Sequence, residues 1–130
     1  MTAKDMWGDF QVEAVRTPVQ ILKEQASALG PKTKTLVVAE VDSVTEMDRF
    51  YHTLDLVVPT LDGYRYNLLR LHHTIEMYPL QLDFFGDSLL GQAVVSSEEE
   101  LNLALQKALS AQKTKRIINS LLGQVTSIAS

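Results

Sequence analysis

The chain has 130 residues, which suits one folded unit, and we expect a single domain over residues 1–130. Hydrophobic residues make up 45% and charged residues 22%, values typical of globular proteins and unlike those of disordered chains. A net charge of −4 with scattered Lys and Arg gives no strong nucleic-acid signal, and the lack of cysteine excludes disulfides and thiolate chemistry.

The N-terminal segment predicts a cytoplasmic protein without membrane contact. Asp5 and Asp9 interrupt the region where a signal peptide would need a continuous apolar stretch. No later segment reaches the roughly 18 consecutive apolar residues of a membrane span. Residues 1–15 carry isolated apolar side chains without a helical period, and we predict a flexible arm or an edge strand there.

An amphipathic helix is predicted over residues 18–29. Thr17 can cap its start and Pro18 suits its first turn. Apolar side chains then recur at helical spacing, and the Gly-Pro pair at 30–31 is typical of a helix end.

The middle of the chain predicts four strands in a meander. Polar residues 42–48 predict a turn, the segment 59–63 predicts a hairpin turn, and residues 86–95 are assigned to a loop. The predicted strands are 35–41, 49–58, 64–73 and 80–85.

Pairing Val58 with Tyr64 sorts the apolar residues of this hairpin onto one face. The same register places His52 opposite Arg70.

Two helices are predicted after the strands. Ser96 and Ser97 each precede a glutamate by three residues, which is the capping-box spacing, and an apolar stripe continues to residue 109. A second apolar helix is predicted over 113–128. A helix, four mainly antiparallel strands and two helices predict an α+β fold with the C-terminal helices packed on one sheet face.

Five polar residues form the candidate ligand-binding set. The predicted register makes neighbours of His52, Arg70 and His72, and Glu76 and Asp83 are expected to approach them from the next strand. Imidazole and carboxylate groups can hold a divalent ion or polarise a water molecule. The competing interpretation, that these are polar groups at a sheet rim, is favoured.

Consecutive histidines at 72 and 73 are poor evidence for chelation. Neighbouring side chains of a strand point to opposite faces, so His72 and His73 cannot share one metal ion without a bulge. No catalytic motif occurs in the sequence, and we predict no metal, no cofactor and no catalytic residue.

A second set of residues is predicted to bind a protein partner. Tyr64 and Tyr66 form an aromatic pair on one strand, and Ile117, Leu121 and Val125 belong to a wide apolar band on the last helix. The leading hypothesis is a small cytoplasmic binding or regulatory module that acts through an exposed sheet face or this helix. Its partner is another protein or a second copy of the chain. The alternative hypothesis is an enzyme or a protein that binds a small ligand or metal through the histidine and arginine cluster.

Overall fold

The computed structural model describes residues 4–12, 15–86 and 91–129, which form three helices and one five-stranded sheet. The elements are α1 (Pro18–Lys32), β1 (Val38–Glu46), β2 (Arg49–Val58), β3 (Tyr64–His73), β4 (Leu80–Phe84), β5 (Gln92–Val95), α2 (Glu98–Leu109) and α3 (Gln112–Ala129). The strands lie in chain order and neighbours are antiparallel. The predicted α+β class is confirmed, with five strands instead of four.

The helix starts follow the capping signals in the sequence. The Thr17 hydroxyl accepts a hydrogen bond from the Gln20 amide, and the Gln20 side chain accepts one from the Thr17 amide, so a capping box begins α1. The Ser97 hydroxyl likewise accepts a hydrogen bond from the Glu100 amide at the start of α2.

The end of α1 differs from the prediction. The helix continues past Gly30 and Pro31 to Lys32, and Thr33 caps it through its amide, which donates to the Gly30 carbonyl. A Cβ atom at Gly30 would lie 3.7 Å from Val38 Cγ1, an ordinary van der Waals contact, so the packing of α1 on β1 does not require a glycine there.

Two strand predictions also need correction. β1 begins at Val38 and runs to Glu46, through most of the predicted turn, because Met47 adopts a positive φ of 55° and reverses the chain within two residues. β5 occupies part of the predicted loop as a four-residue edge strand paired with β4. So short a strand has too few residues for alternation to mark it.

One face of the sheet, here called the covered face, packs against the helices. Leucines from β2, β3 and β4 share one core with the apolar sides of α1, α2 and α3. The largest fully buried side chains of this core are Ile21, Leu22, Leu54, Leu56, Leu69, Leu71, Leu80, Leu82, Leu101 and Leu105. Burial of these side chains is the main stabilising contribution to the fold.

The helices leave the opposite face uncovered, and we call it the open face. Its central side chains are largely polar. They include Tyr51, Thr53, Asp55, Arg65, Asn67, Arg70, His72, Gln81 and Asp83, together with the apolar Val57 opposite Arg65.

A β-bulge in β3 sets which residues reach each face. The predicted register holds from the hairpin turn through Asp55 and Asn67, and it then shifts by one residue, so that Leu54 pairs with Leu69. Leu68 and Leu69 are both buried at this point. The alternation of side chains between the two faces, which predicts the strands, does not reveal such an extra residue. Beyond the shift, Arg70 pairs with Thr53, so the predicted pairing with His52 is wrong.

The described residues of the N-terminal arm, residues 4–12, lie in no strand. They are exposed, including Trp7 and Phe10. An edge strand is therefore not formed in this part of the arm. Within the described chain, no helix combines the length and the apolar character needed to cross a membrane.

Candidate functional site on the open face

Arg70, His72 and Asp83 meet on the open face. Arg70 and His72 are two positions apart on β3 and therefore point the same way. Asp83 on β4 is the direct partner of Arg70, and Gln81 is the partner of His72. Three of the five predicted ligand-binding residues are thus brought together.

Asp83 is the centre of this cluster. Its Oδ2 accepts a 3.0 Å hydrogen bond from Arg70 Nη2, its Oδ1 accepts one of 2.9 Å from Gln81 Nε2, and the residue is only 5% exposed. Burial alone would raise the pKa of this carboxyl, but the hydrogen bonds from Gln81 and Arg70 and the nearby positive charge outweigh it and hold the pKa below its ordinary value. Asp83 is therefore an anion at neutral pH.

His72 bridges Asp83 and Arg49. Its Nδ1 accepts from Arg49, whose Nη2 lies 2.9 Å away, so the ring proton sits on Nε2, 3.6 Å from Asp83 Oδ2. Burial and the positive charge of Arg49 lower the pKa of His72, and the charge of Asp83 opposes them only in part. The imidazole is neutral at neutral pH.

Arg70 is held between two aromatic rings. Its guanidinium carbon lies 5.4 Å from the centroid of the Tyr51 ring and 5.9 Å from that of Phe85, within the range of cation–π contact. Tyr51 itself stacks on His72 with ring centroids 5.1 Å apart. The ion pair to Asp83 and the two rings fix the guanidinium, while 39% of the side chain stays exposed.

A shallow groove of about 420 Å³ runs past this arginine. It is lined by Val44, Glu46, Tyr51, Thr53, Arg70 and His72. The fixed guanidinium is thus presented in a concave surface.

The structure separates His52 and Glu76 from the cluster. His52 lies on the covered face, where Ser43 Oγ is 2.7 Å from its Nδ1 and the His73 ring centroid is 5.6 Å away. Burial, and then the charges of His73 and Lys23, lower the pKa of His52 to about 4. Glu76 is exposed in the turn between β3 and β4. The bulge explains the separation of His52, because it exchanges the faces of β3 relative to β2.

The prediction that His72 and His73 diverge is confirmed. His73 belongs to the covered face, stacks on Phe50 at 5.6 Å and places its Nδ1 2.7 Å from the Thr74 carbonyl oxygen. Among the residues that the structure describes, no group of three His, Asp or Glu side chains is arranged to hold a metal ion.

The predicted partner-binding residues differ in accessibility. Tyr64 is 47% exposed, whereas Leu121 and Val125 are buried in the core. Tyr66 and Ile117 are half-buried, and both approach Gly86, at which a Cβ atom would lie 3.2 Å from Ile117 Cδ1. Core packing accounts for Leu121 and Val125, while Tyr64 keeps a surface that a partner can reach.

A second ion cluster surrounds Arg65 on the same face. Its guanidinium donates to Glu40 at 2.7 Å, to Asp42 at 3.0 Å and to Asp55 at 3.3 Å. Burial raises the pKa of Asp55, and the hydrogen bond and charge of Arg65 oppose that shift. Three carboxyl groups therefore already surround this guanidinium.

Sequence reasoning missed Arg49, Tyr51, Gln81 and Phe85. Arg49 and Tyr51 flank Phe50 at the start of β2. The sequence shows only that their side chains lie on the strand face opposite the expected apolar face. Their role follows from pairing across strands, which no local pattern specifies.

Comparison of the chain with protein-family models, with curated proteins and with solved structures gives no match.

Proposed function

We propose that the protein is a cytoplasmic binding module that recognises another protein through its open face, with Arg70 receiving a carboxylate of the partner. The observation that carries this proposal is the guanidinium of Arg70, fixed by Asp83 and two aromatic rings and yet partly exposed in a groove.

Pre-organisation is the first support. An arginine that binds from a free side chain loses rotamer entropy, and the contacts of Arg70 to Asp83, Tyr51 and Phe85 have already removed much of that freedom. Arginine and tyrosine are also among the side chains enriched at the energetic centres of protein interfaces.

The free edge of the Arg70 guanidinium is the second support. Around the groove, the positive charges of Arg49 and Arg70 are matched by the negative charges of Asp83 and Glu46, and Asp83 is already bonded to Nη2 of Arg70. Within the described chain no acceptor bonds to Nη1 of Arg70, so this edge of the guanidinium is available to a carboxylate.

Glu46 narrows the class of partner. It lines the same groove as Arg70 and repels a second negative charge there. The groove therefore suits one isolated carboxylate, as on a folded protein surface, and disfavours a polyanion such as nucleic acid.

An Arg70→Met variant tests the proposal. Tagged wild-type protein is used to capture partners from the cells that make it, and a captured partner is then bound in purified form to each variant. We expect Arg70→Met to weaken binding at least tenfold, because an interface anchor of this type is worth about 2 kcal/mol or more. Replacing the contacting Asp or Glu of the partner by Asn or Gln should weaken wild-type binding equally and leave the Arg70→Met affinity unchanged.

Arg65→Met is the matched control. Arg65 lies on the same strand and face and is 42% exposed, but three carboxylates already occupy its guanidinium. The control should bind like the wild type. Equal binding by Arg70→Met, or the absence of any partner that the wild-type protein captures, contradicts the proposal.

The alternative hypothesis is an enzyme or a protein that binds a small ligand. Of its five predicted residues, only Arg70, His72 and Asp83 lie together. A free dicarboxylate such as succinate, titrated into the purified protein, separates the two hypotheses. If succinate binds at micromolar concentration and the binding depends on Arg70, the ligand of this site is a small acid and not a protein.

A further inference from the structure

A second concave surface lies on the other side of the sheet. The three helices do not close the covered face completely, and they leave an apolar groove of about 480 Å³ between α1, α2 and α3. Its walls include Ala26, Leu29, Leu54, Leu56, Leu105 and Ile118. This volume falls within the range of about 300–1,000 Å³ that is usual for binding pockets.

The N-terminal arm carries apolar side chains that the rest of the described chain does not cover. Met6 is 90%, Trp7 81% and Phe10 72% exposed. The Trp7 and Phe10 rings contact each other with centroids 6.5 Å apart, and Asp5 Oδ1 accepts a hydrogen bond from the Trp7 amide. The arm thus presents two aromatic rings together as one apolar projection.

We propose that the N-terminal arm of a second copy of this chain inserts Trp7 and Phe10 into the apolar groove, and that the two copies exchange arms in a symmetric dimer. Each copy then supplies one arm and one groove, which is the self-complementary arrangement of a twofold interface. This interface is separate from the open face and leaves Arg70 free.

Charge complementarity supports this occupant. Asp5 and Asp9 flank the two aromatic rings of the arm, and Lys32 lines the groove. Thr114 also lines the groove, between Lys113 and Lys115 at the start of α3. With Lys4 included, residues 4–12 carry one net negative charge, and Lys32 is the charged side chain among the lining residues of the groove, so a carboxylate of the arm can pair with Lys32.

Arm geometry favours a second copy over the same copy. Arg16 forms ion pairs of 2.6 Å to Glu24 on α1 and 2.8 Å to Glu98 on α2, which hold the chain where it enters α1. The groove begins at Gln25 and follows the C-terminal half of α1 to Lys32. An arm that filled its own groove would have to reverse direction at Arg16 and run back along the helix.

The area that would be buried suits a weak dimer. An aromatic side chain buries about 150–250 Å², so the four rings of two exchanged arms supply roughly 600–1,000 Å². The groove walls have less accessible surface than the rings and add a smaller area. The total therefore lies near the lower limit of about 1,200 Å² for specific protein interfaces.

Sedimentation equilibrium of the full chain tests the exchange. The wild type should have twice the 14.5 kDa mass of one chain at tens of micromolar concentration. A Trp7→Ser, Phe10→Ser double variant removes the projection, and Ala28→Glu adds a negative charge to the groove wall. Each should weaken dimerisation at least tenfold. Ser27→Glu, at an exposed position next to Ala28 that does not line the groove, should dimerise like the wild type.

Mixing the two defective proteins gives the sharpest test. The double variant keeps an intact groove and Ala28→Glu keeps an intact arm, so the mixture can form one arm and groove pair and should yield a heterodimer. Trp7 is the single tryptophan, and its fluorescence should shift to the blue when the Ala28→Glu protein is mixed with the double variant.

Three results would overturn the exchange. The first is a monomeric wild type whose Trp7 emission is that of an exposed indole, and the second is a monomeric wild type with buried Trp7, which would place the arm in its own groove. The third is a dimer that survives both variants, which would place the interface elsewhere.

Discussion

The two faces of β3 place neighbouring histidines in opposite chemical roles. His73 lies on the covered face against Phe50, next to His52. His72, one residue earlier, lies on the open face between Arg49 and Asp83. The comparison teaches that the face of the sheet, and not the adjacent residue in the sequence, determines the environment of a side chain.

Burial also has different consequences on the two faces. Asp83 is as buried as His73, but on the open face it is compensated by Arg70 and Gln81. On the covered face His52 lies beside the Ser43 hydroxyl and the His73 ring, and its charged form is disfavoured, first by burial and then by His73 and Lys23. The compensated carboxyl of Asp83 therefore stays charged at neutral pH, while His52 is held neutral by burial, as His72 also is.

The largest effect is expected from a leucine of the covered face. Leu71→Ala removes a fully buried side chain between Arg70 and His72 and should lower the free energy of unfolding by about 2–5 kcal/mol. His72→Ala, the neighbouring substitution on the open face, should cost less. Urea denaturation at pH 7 measures both, and an equal loss would break the distinction between the faces.

The next effect is a pH dependence that originates at His52. The pKa of His52 is about 4 in the folded chain and about 6.5 when unfolded, so the unfolded chain binds more protons between these values. The contribution of neutral His52 to the free energy of unfolding is fully present above pH 6.5 and is lost as the pH falls towards 4. At about 1.36 kcal/mol per pH unit, the loss amounts to at most roughly 3 kcal/mol.

Urea denaturation at several pH values from 7 to 4 checks this slope. His52→Gln keeps a polar side chain near Ser43 but cannot be protonated in this range, so its curve should be flatter than that of the wild type. His72→Gln is the control on the open face. An unchanged slope in His52→Gln would show that the pH dependence arises elsewhere.

Asp83→Asn should have an intermediate effect. It removes the negative charge that Arg70 and His72 share, and the loss of charged hydrogen bonds in a buried place costs about 1–3 kcal/mol. Thermal and urea unfolding of the purified variant measure the loss. Stability equal to that of the wild type would mean that the cluster does not contribute to the fold.

The smallest effect is expected at the margin of the open face. Val44 is 58% exposed, and Val44→Thr should change the free energy of unfolding by less than about 0.5 kcal/mol. The same urea experiment measures it. A loss above 1 kcal/mol would show that this margin is covered in solution.

Local signals made much of the fold predictable. Thr17 and Ser97 begin α1 and α2 because a hydroxyl can satisfy free amides at a helix start, whatever the remainder of the chain does. Alternating residues and a polar turn likewise identified β2 and β3 with their observed bounds. β5 was missed because a strand of four residues is recognised by its partner and not by its own pattern.

The candidate site was predictable only in part, for a physical reason. Arg70, His72 and Asp83 could be proposed as neighbours from strand order, but the bulge at Leu68 decided that His52 is not among them. Tyr51 and Phe85 reach Arg70 from the neighbouring strand β2 and from the chain just beyond β4, and such contacts depend on register.

By itself the sequence determined the helix starts, the central hairpin and the α+β order, since caps, turns and side-chain alternation act within a few residues. Only the tertiary structure decided which face the helices cover, where β3 gains its extra residue and which charges meet. Those outcomes depend on packing and hydrogen bonds between segments far apart in the chain, and their energies appear only after the strands have paired.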